Sequence, residues 1–483
     1  MNKVPHAEGG NYMRKTKIIC TIGPASDNEE TLKQMFRAGM NVARLNFSHG
    51  THEEHQVKFD LIKKVREELN LPIAIMLDTK GPEYRIKTFE NHSVTLKDGD
   101  TFTFTVDEVE GNEERVSVNY KNLISELNVG DKILVNNGLL VFEVKELKGS
   151  DAICTIITGG VMSDRKSMNF PNHVMKGPYL SDVDKDDLLF GIQNGVDFVA
   201  ASFVSTKGDI QAVREFLNEN GGEDIDIIAK IENQAGVENI EEICEIADGI
   251  MVARGDLGVE IPFVEVPAVQ KYLIRKCRLL GKRVITATEM LESMIQNPRP
   301  TRAEISDVAN AVYDGSSAIM LSGESASGKY PVDAVRSMAE IAEYTEKNID
   351  YEKRFKTSDY KIKSNIDAVS HATCAMAIDT QAKAIVISSI SGITARMVSR
   401  FRCPVDIIGM TTSEKAWRKL NLSWGVTPVL SEEFNSVEVM FYHAVRSAKE
   451  TFSLEPGDNV VLTGGQISGK SGNTNTIRLE IIK

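Results

Sequence analysis

The chain has 483 residues, of which 42% are hydrophobic and 26% are charged, a composition typical of globular proteins with a large core. Asp and Glu outnumber Lys and Arg by 69 to 56, which gives a formal net charge of -13. This balance argues against a protein that follows a nucleic-acid backbone, because such proteins carry the opposite bias. The length predicts about three domains.

The six cysteines are scattered, and no pair has C-x-x-C spacing. We interpret them as reduced core residues, not as disulfides or zinc ligands. The first fifteen residues are polar and lack the apolar region of a signal peptide, and no segment approaches the roughly 18 apolar residues of a membrane span. We therefore expect a cytoplasmic protein that has no membrane or nucleic-acid partner.

Short apolar strands alternate with amphipathic helices along most of the chain. Eight candidate strands are rich in Val, Ile and Ala and nearly continuous in apolarity, as strands buried on both faces should be. They cover residues 17–23, 41–47, 73–79, 197–203, 226–232, 249–254, 283–288 and 317–323. This repeat predicts an α/β fold, a closed (β/α)₈ TIM barrel. A doubly wound open sheet is the alternative, although no Gly-x-Gly-x-x-Gly turn follows the first strand.

The helices between these strands have recognisable ends. Residues 182–193 form a helical stretch that stops at Asn194-Gly195. Thr301 and Glu304 have the spacing of a capping box, which predicts a helix that continues through Val312. Residues 351–364 are polar and are interpreted as a linker.

The repeat is interrupted once, between Pro82 and Gly177, where apolar residues alternate with period two. The alternating runs are residues 101–106, 115–120, 132–135, 139–144 and 152–158. They predict an inserted small antiparallel β-barrel domain. A Gly-Pro dipeptide at each edge suggests hinges, and an insert at a barrel mouth is placed to act as a lid.

A third α/β unit with its own apolar faces follows the linker. Its predicted elements are a helix at 367–380, a strand at 384–388, a helix at 393–401 and a strand at 405–410, with further repeats to Ile482. The predicted domains are therefore the catalytic barrel over residues 14–81 and 178–349, the lid over 82–177 and a C-terminal α/β regulatory domain over 350–483.

Polar side chains stand at the C-terminal ends of the predicted barrel strands, where TIM barrels carry their chemistry. They are Asn46, Ser48, Asp78, Lys230, Glu232, Arg254, Asp256 and Thr288. Lys230 and Glu232 are two apart and face the same side of their strand. This pair alone fits a structural ion pair as well as a functional one. Asp256 favours function, because two carboxylates without His or Cys suit Mg²⁺ or Mn²⁺, and a neighbouring lysine stabilises charge on a phosphoryl group or an enolate.

A second group of polar residues surrounds the end of the second strand. Arg44 is suited to gripping a phosphate oxygen. Asn46, Ser48 and Asp78 supply oxygen atoms, and together with the Thr79 carbonyl they suggest a site for a monovalent cation.

Several segments together resemble the pyruvate kinase family. They are residues 41–50, 77–83, 230–233, 250–258, 287–293, 299–304 and 321–324, and the resemblance runs from about Arg14 to the end of the chain. It implies an enzyme that transfers the phosphoryl group of phosphoenolpyruvate to ADP, giving pyruvate and ATP in the last step of glycolysis. Family members are usually homotetramers with an allosteric C-terminal domain, and the same is expected here.

The resemblance also implies roles for individual residues. Those that match the substrate-binding positions are Arg44, Lys230, Gly255, Asp256 and Thr288, of which Arg44, Lys230 and Thr288 are implied to be catalytic. Those that match the nucleotide-binding positions are Asn46, Phe47, Ser48, His49, Arg85 and, from the lid, Lys166.

Two kinds of metal ion are implied as cofactors. Glu232 and Asp256 match the ligands of Mg²⁺ or Mn²⁺, and Asn46, Ser48, Asp78 and Thr79 match the ligands of K⁺. Family members that dispense with K⁺ have a lysine where this chain has Glu83, so we expect activity that depends on K⁺. Glu289, Asn136-Asn137 and Lys176 depart from the usual family residues, near the site and in the lid.

A Ser- and Gly-rich turn in the C-terminal unit joins a strand to a helix start. Its candidate effector-binding residues are Ser388, Ser389, Ser391, Gly392 and Thr394. An ordinary Ser/Gly turn with a cap is the alternative, since such turns are common, but hydroxyl and N–H groups at a helix start also bind phosphate. The resemblance implies a sugar-phosphate effector here, with residues 469–476 closing over it, and AMP is another candidate.

Two other functions are compatible with parts of the pattern. A non-catalytic scaffold that binds effectors would not need Lys230, Glu232 and Asp256, and all three are present. A metal-dependent lyase acting on phosphoenolpyruvate would explain the barrel but neither the lid nor the C-terminal unit.

Overall fold

Eight parallel strands close into a barrel in the computed structural model of the chain, which describes residues 13–171, 173–465 and 474–483. The barrel strands, numbered 1 to 8 in chain order, are Lys17–Thr21, Val42–Asn46, Ala74–Asp78, Phe198–Ala201, Asp226–Ile231, Gly249–Ala253, Arg283–Ala287 and Ala318–Leu321. Strand 8 pairs with strand 1, as Ala318 lies opposite Lys17. The prediction of a TIM barrel is confirmed, and the alternative prediction of an open sheet is wrong.

Helices cover the outside of the barrel and follow the sequence signals at their ends. Thr301 caps its helix through the predicted capping box with Glu304. The outer α-helices are Glu29–Arg37, His52–Leu69, Asp182–Gln193, Lys207–Glu219, Gln234–Glu238, Ile240–Ile246, Arg254–Glu260, Val266–Leu280, Arg302–Asp314, Gly323–Ala326 and Pro331–Lys347. Two short 3₁₀ helices, Phe263–Glu265 and Glu292–Ile295, complete this layer.

The inserted domain consists of a curled seven-stranded sheet and a separate two-stranded sheet, formed by Ser93–Leu96 and Gly160–Ser163. Its strands are Tyr84–Arg85, Ser93–Leu96, Thr101–Thr105, Arg115–Ser117, Lys132–Val135, Leu140–Lys148, Asp151–Thr158, Gly160–Ser163 and Ser167–Asn169, with one short helix, Leu123–Glu126. The five predicted strands are present, and four further strands, of two to four residues each, were missed. One pair, Thr101–Thr105 with Arg115–Ser117, is parallel, so the sheet is mixed. A bridge between Ile86 and Val118 joins its edges.

The C-terminal unit is a five-stranded α/β layer. In spatial order its strands are Val426–Leu430, Asp406–Thr411, Ala384–Ser388, Asn459–Gly465 and Thr474–Ile481. Its helices are Tyr351–Thr357, Asn365–Asp379, Ile393–Ser399, Glu414–Leu420 and Val437–Thr451. Across the described residues, none of the helices combines the length and the apolarity needed to cross a bilayer. The exact domain boundaries remain predictions.

The predicted linker begins with a helix, so that prediction is wrong for its first half. Residues Tyr351–Thr357 are helical, and Asp350 caps the helix by accepting a hydrogen bond from the Lys353 amide at 2.8 Å. Tyr351 and Phe355, four residues apart, are both buried. The two aromatic side chains fix one face of the helix, and the polar residues around them hid this pattern in the sequence.

The C-terminal unit forms the floor of the barrel. Leu422 is fully buried and belongs to the same apolar cluster as the side chains that fill the barrel interior, among them Ile228 and Met251. Beside it, the Asn421 side-chain amide donates to the Asn41 carbonyl at 3.0 Å and to the Pro72 carbonyl at 2.9 Å. Both carbonyls precede barrel strands, so Leu422 enters at the end of the barrel opposite the strand C-termini.

Truncating Leu422 tests this description of the floor. We expect Leu422→Ala to lower the stability of the protein by about 2–5 kcal/mol, because it leaves a cavity among packed side chains. The measurement is the midpoint of thermal and urea unfolding. Leu139→Ala is the matched control, since Leu139 is 67% exposed in the lid and its truncation should change stability by less than about 0.5 kcal/mol. Equal effects of the two changes would contradict the assignment.

Candidate active site

Asp78 lies at the C-terminal end of barrel strand 3 and organises two cations. Its two carboxylate oxygens accept hydrogen bonds from Arg44 Nε at 2.6 Å and from Lys230 Nζ at 3.0 Å. The side chain has no exposed surface. Burial acts to raise the pKa of Asp78, but the charges of Arg44 and Lys230 outweigh it and hold that pKa below its usual value. Asp78 is therefore an ionised carboxylate that links strands 2, 3 and 5.

Lys230 is buried and fully surrounded by acceptors. Its ammonium group donates to Ser202 Oγ at 2.6 Å and lies 3.1 Å from Glu232 Oε1. Burial alone would lower the pKa of Lys230, but the carboxylates of Asp78 and Glu232 more than compensate, and the pKa is raised. The lysine is thus held as a fixed positive charge that needs no rearrangement to meet an anion.

Glu232 has one oxygen fixed and one oxygen open to a further ligand. Oε2 accepts a hydrogen bond from the Phe203 amide at 2.6 Å, whereas Oε1 accepts none and only faces the Lys230 ammonium group. Burial, with a further contribution from the charge of Asp256, raises the pKa of Glu232 to about 7. A buried carboxylate oxygen that accepts no hydrogen bond is costly, and the ion pair with Lys230 offsets only part of that cost, so Oε1 is open to a second cation.

Asp256 supplies a second carboxylate close to Glu232. Strand 6 ends at Ala253 and the helix Arg254–Glu260 begins at once, so Asp256 lies in the first turn and is exposed. The described residues contain no group of three or more His, Cys, Asp or Glu side chains placed to share a metal ion. Two carboxylates alone are the kind of donor set that Mg²⁺ accepts, because it keeps water and substrate oxygens as its other ligands.

The turn after strand 7 is strained. Thr288 has φ 68° and Glu289 has φ 53°, a left-handed conformation that a β-branched residue such as threonine rarely adopts. Thr288 Oγ1 accepts a hydrogen bond from the Gly255 amide at 2.8 Å. Arg254 stabilises the turn, because its Nη2 donates to the Thr288 carbonyl at 2.6 Å while its Nη1 donates to Asp307 Oδ2 at 2.7 Å. Backbone strain of this kind persists where the surroundings enforce it, which is common at functional sites.

The residues proposed for a monovalent cation lie on neighbouring strand ends. Asn46 and Asp78 are direct partners in the register of strands 2 and 3. Asn46 Oδ1 accepts from the Ser48 amide at 3.2 Å, and the Thr79 carbonyl accepts from Ser202 Oγ at 2.6 Å. The structure thus brings these oxygen-bearing residues together beside Lys230. Their role as ligands stays a prediction.

Three residues of this site were not singled out from the sequence. The Ser202 hydroxyl accepts a hydrogen bond from Lys230 and donates one to the Thr79 carbonyl. Phe203 has φ 56°, and its amide donates to Glu232. Both follow strand 4, so the rule that strand ends carry function applied to them as well. Asp307 lies within a helix, and nothing in its sequence context connects it with Arg254.

The candidate nucleotide-binding residues of the lid lie on or beside one short pair of β-strands. Arg85 pairs with Ser167, so Lys166 is one residue away from this pair. The Arg85 guanidinium bonds Glu83 and donates to the Arg165 carbonyl at 2.6 Å. At the other end of this lid strand, the Asn169 amide donates to Glu260 Oε1 at 2.8 Å. Glu260 is on the same helix as Asp256, so the lid contacts an element of the site.

The candidate effector turn lies at the C-terminal end of strand Ala384–Ser388. Gly392 has φ 75°, and a Cβ there would come within 3.0 Å of the Leu420 side chain. The Thr394 hydroxyl is 2.6 Å from the Thr474 hydroxyl. Of the predicted closing segment, residues 469–473 lie outside the described residues. The effector function of this turn stays a prediction.

Comparison with known proteins gives consistent results over nearly the whole chain. The family of pyruvate kinase barrel domains matches residues 13–335, and the family of pyruvate kinase alpha/beta domains matches residues 367–480. A pyruvate kinase of Clostridium acetobutylicum is 46% identical over 473 residues, covering 98% of this chain and 100% of its own length.

Two further relatives extend this similarity. A pyruvate kinase of Clostridium perfringens is 47% identical over 474 residues, covering 97% of this chain and 100% of its own length. The crystal structure of a pyruvate kinase from Cryptosporidium parvum superposes with a TM-score of 0.92 at 38% identity, covering 97% of this chain and 96% of its own. Sequence and fold therefore agree on one family.

Proposed function

The chain belongs to the pyruvate kinase family and is a phosphotransferase, and from this premise we propose that it transfers the phosphoryl group of phosphoenolpyruvate to ADP at the site around Lys230. The observation that carries the proposal is the buried Glu232, whose Oε1 accepts no hydrogen bond and faces a fixed ammonium group. An open oxygen and a cation on one strand end suit a metal-bound phosphate better than they suit a structural ion pair.

The residues fit a divalent cation. Glu232 and Asp256 would hold Mg²⁺ or Mn²⁺, because Oε1 of Glu232 accepts no hydrogen bond and has only the ion pair with Lys230, and both groups are hard oxygen donors. When bound, the ion would neutralise negative charge on the carboxylate and phosphate oxygens of the substrate. The amide of Phe203 fixes the other oxygen of Glu232, which orients the carboxylate before any ligand arrives.

Lys230 and Arg44 would stabilise the charge that moves during transfer. Asp78 and the Thr21 hydroxyl hold two nitrogens of the Arg44 guanidinium, at 2.6 and 2.8 Å, and so orient it for a phosphate oxygen. Lys230 is held by Asp78 and Ser202 and carries its charge before substrate binds. Phosphoryl transfer depends on such positioned charges, since the protein has little covalent chemistry to perform.

Thr288 and the start of the following helix would receive the carboxylate side of the substrate. The hydrogen bond from the Gly255 amide fixes the Thr288 hydroxyl, and Arg254 fixes the carbonyl of the same residue. The backbone at Gly255 and Asp256 forms the first turn of a helix, where N–H groups favour an anion. Together they would orient the carbon that accepts a proton when pyruvate forms.

The nucleotide and K⁺ would occupy the neighbouring strand ends. Asn46, Ser48, Asp78 and Thr79 would bind K⁺, and Asn46, Phe47, Ser48, His49, Arg85 and Lys166 would contact the nucleotide. Arg85 and Lys166 come from the lid, so nucleotide binding and lid closure would be linked.

The remaining features of the family extend the proposal beyond the site. A sugar phosphate or AMP would act through the turn Ser388, Ser389, Ser391, Gly392 and Thr394. The protein would work as a homotetramer in the cytoplasm. The C-terminal unit forms the floor of the barrel, and its Leu422 packs among the side chains that fill the barrel interior. This contact supports regulation of the barrel site by a ligand of the C-terminal unit.

The first test is a lactate-dehydrogenase-coupled assay with phosphoenolpyruvate, ADP, Mg²⁺ and K⁺. We expect ADP-dependent release of pyruvate by the wild type. Lys230→Met should lower kcat by at least 10²–10³-fold, the order of magnitude for loss of a group that stabilises transition-state charge.

Lys271→Met is the matched control for this variant. Lys271 is 55% exposed on an outer helix and pairs with Asp314, so its loss should leave kcat unchanged. Lys230→Arg keeps the charge but not its position, and it should be impaired as well if folding is intact by circular dichroism. Absence of ADP-dependent pyruvate in the wild type would refute the proposed reaction.

The K⁺ requirement is a separate prediction. The wild type should be active in KCl and far slower in NaCl or Tris chloride. Glu83 bonds Arg85, and its other oxygen is 3.9 Å from Lys80 Nζ, so this position already lies among cations. Glu83→Lys should reduce the dependence on K⁺, whereas Glu83→Gln should not. Equal wild-type rates in all three salts would contradict the prediction.

A further inference from the structure

The segment that begins at the last residue of strand 2, residues 46–50, has an exposed upper side and a buried underside. Ser48 and His49 are exposed, whereas Phe47 is only 7% exposed. The Phe47 ring stacks on the imidazole of His55, with ring centres 4.0 Å apart and planes inclined by 7°. His55 belongs to the following helix, His52–Leu69, and is itself buried. Of the three rings that contact Phe47, those of His55, His52 and Phe190, the His55 imidazole is the nearest and the only one of the three that stacks on it.

The same imidazole also binds the backbone of the segment. His55 Nε2 is 2.9 Å from the His49 carbonyl oxygen. A carbonyl only accepts hydrogen bonds, so Nε2 carries the hydrogen and donates it. Nδ1 is buried and has no hydrogen-bond partner, so a second proton there would find no acceptor. Burial lowers the pKa of His55 to about 4, consistent with a neutral ring of defined tautomer.

The helix that carries His55 is anchored to a neighbouring helix, and the rings of His52 and Phe190 at this anchor also lie 6.1 Å from the Phe47 ring. His52 Nε2 is 2.6 Å from Asp187 Oδ1, and its ring stacks on Phe190 at 4.3 Å. Glu54 caps the helix start by accepting from the Thr51 amide at 3.0 Å. His55 is therefore attached to a rigid element, and it can fix a segment that is otherwise exposed.

We propose that His55 is a positioning residue for the nucleotide and the monovalent cation. Its ring stacks on the ring of Phe47, and its Nε2–H donates to the carbonyl of His49. The two contacts fix the backbone on which Asn46 and Ser48 present their oxygens. His55 touches neither ligand directly. The inference rests on the proposed function, because that function assigns the nucleotide and K⁺ to this segment.

The proposal predicts a selective kinetic effect. Without His55 the segment must be ordered by the ligands themselves, so the ligands that bind there lose affinity. Phosphoenolpyruvate is assigned to Lys230, Arg44 and Thr288, whose contacts do not involve His55. The loss should therefore appear in the constants for ADP and K⁺ and not in the KM for phosphoenolpyruvate.

Two substitutions separate the two contacts of the ring. His55→Phe keeps an aromatic ring against Phe47 and removes the donor to His49, whereas His55→Gln keeps an N–H donor and removes the stack. We expect His55→Phe to raise the KM for ADP and the half-saturating K⁺ concentration by about fivefold to tenfold, the scale of one lost hydrogen bond. His55→Gln should raise both by about twofold to fivefold. The KM for phosphoenolpyruvate should change by less than twofold in both.

His371→Phe is the matched control. His371 also stacks on a phenylalanine, Phe355, with ring centres 5.0 Å apart, but it lies in the C-terminal unit. The His371→Phe substitution should leave every kinetic constant within twofold of the wild-type value. Isothermal titration of ADP in the presence of Mg²⁺ and K⁺ measures the same loss of nucleotide affinity without turnover.

The outcomes are distinguishable. Folded His55→Phe with unchanged constants for ADP and K⁺ would overturn the proposal, as would an equal rise in the KM for phosphoenolpyruvate, which indicates a general structural defect. If His55→Phe does not fold, His55→Gln decides by the same criteria. A wild type without pyruvate release would refute the proposed reaction instead, and the calorimetric comparison would then still support or overturn the role of His55.

Discussion

A buried ammonium group held between two buried carboxylates is the interaction on which the site depends. Lys230 faces Asp78 at 3.0 Å and Glu232 at 3.1 Å, and Arg44 adds a second cation at 2.6 Å from Asp78. Removing these charges from water is costly, so each group stays charged only because the opposite charges beside it offset that cost. These four charged groups can meet only if the three strands that carry them end at the same level, which the closed parallel barrel provides.

The barrel connects this charge group to the two other parts of the molecule. On strand 5, Asp226 and Lys230 are four residues apart and share one face. Asp226 binds Lys419 of the C-terminal unit at 2.8 Å and Arg283 of strand 7 at 2.6 Å. On the opposite side, the lid contacts the helix of Asp256 through Asn169. Both flanking units therefore touch elements that carry the proposed metal ligands.

The sequence was sufficient for features that depend on local pattern. Strand 5, its Lys230 and the Glu232 that follows it were predicted from apolar continuity and spacing, and the Thr301 helix was predicted from its cap. Features that depend on distant partners were missed. Ser202 gains its role only because strand 4 lies beside strands 3 and 5 in space, and Leu422 is an ordinary core leucine until the barrel places it in its floor. Motif resemblance predicted the family, whereas the hydrogen bonds that orient the site depend on contacts between distant parts of the chain.

The central claim is that the open oxygen of Glu232 belongs to a divalent cation, and direct Mn²⁺ binding tests it. Electron paramagnetic resonance titration of the wild type in KCl, without nucleotide, should detect one bound Mn²⁺. Glu232→Gln and Asp256→Asn should each weaken that binding by at least about tenfold, in line with the loss of a metal ligand. Glu241→Gln, on an exposed outer helix, should not change it. Unchanged Mn²⁺ affinity in Glu232→Gln would contradict the claim.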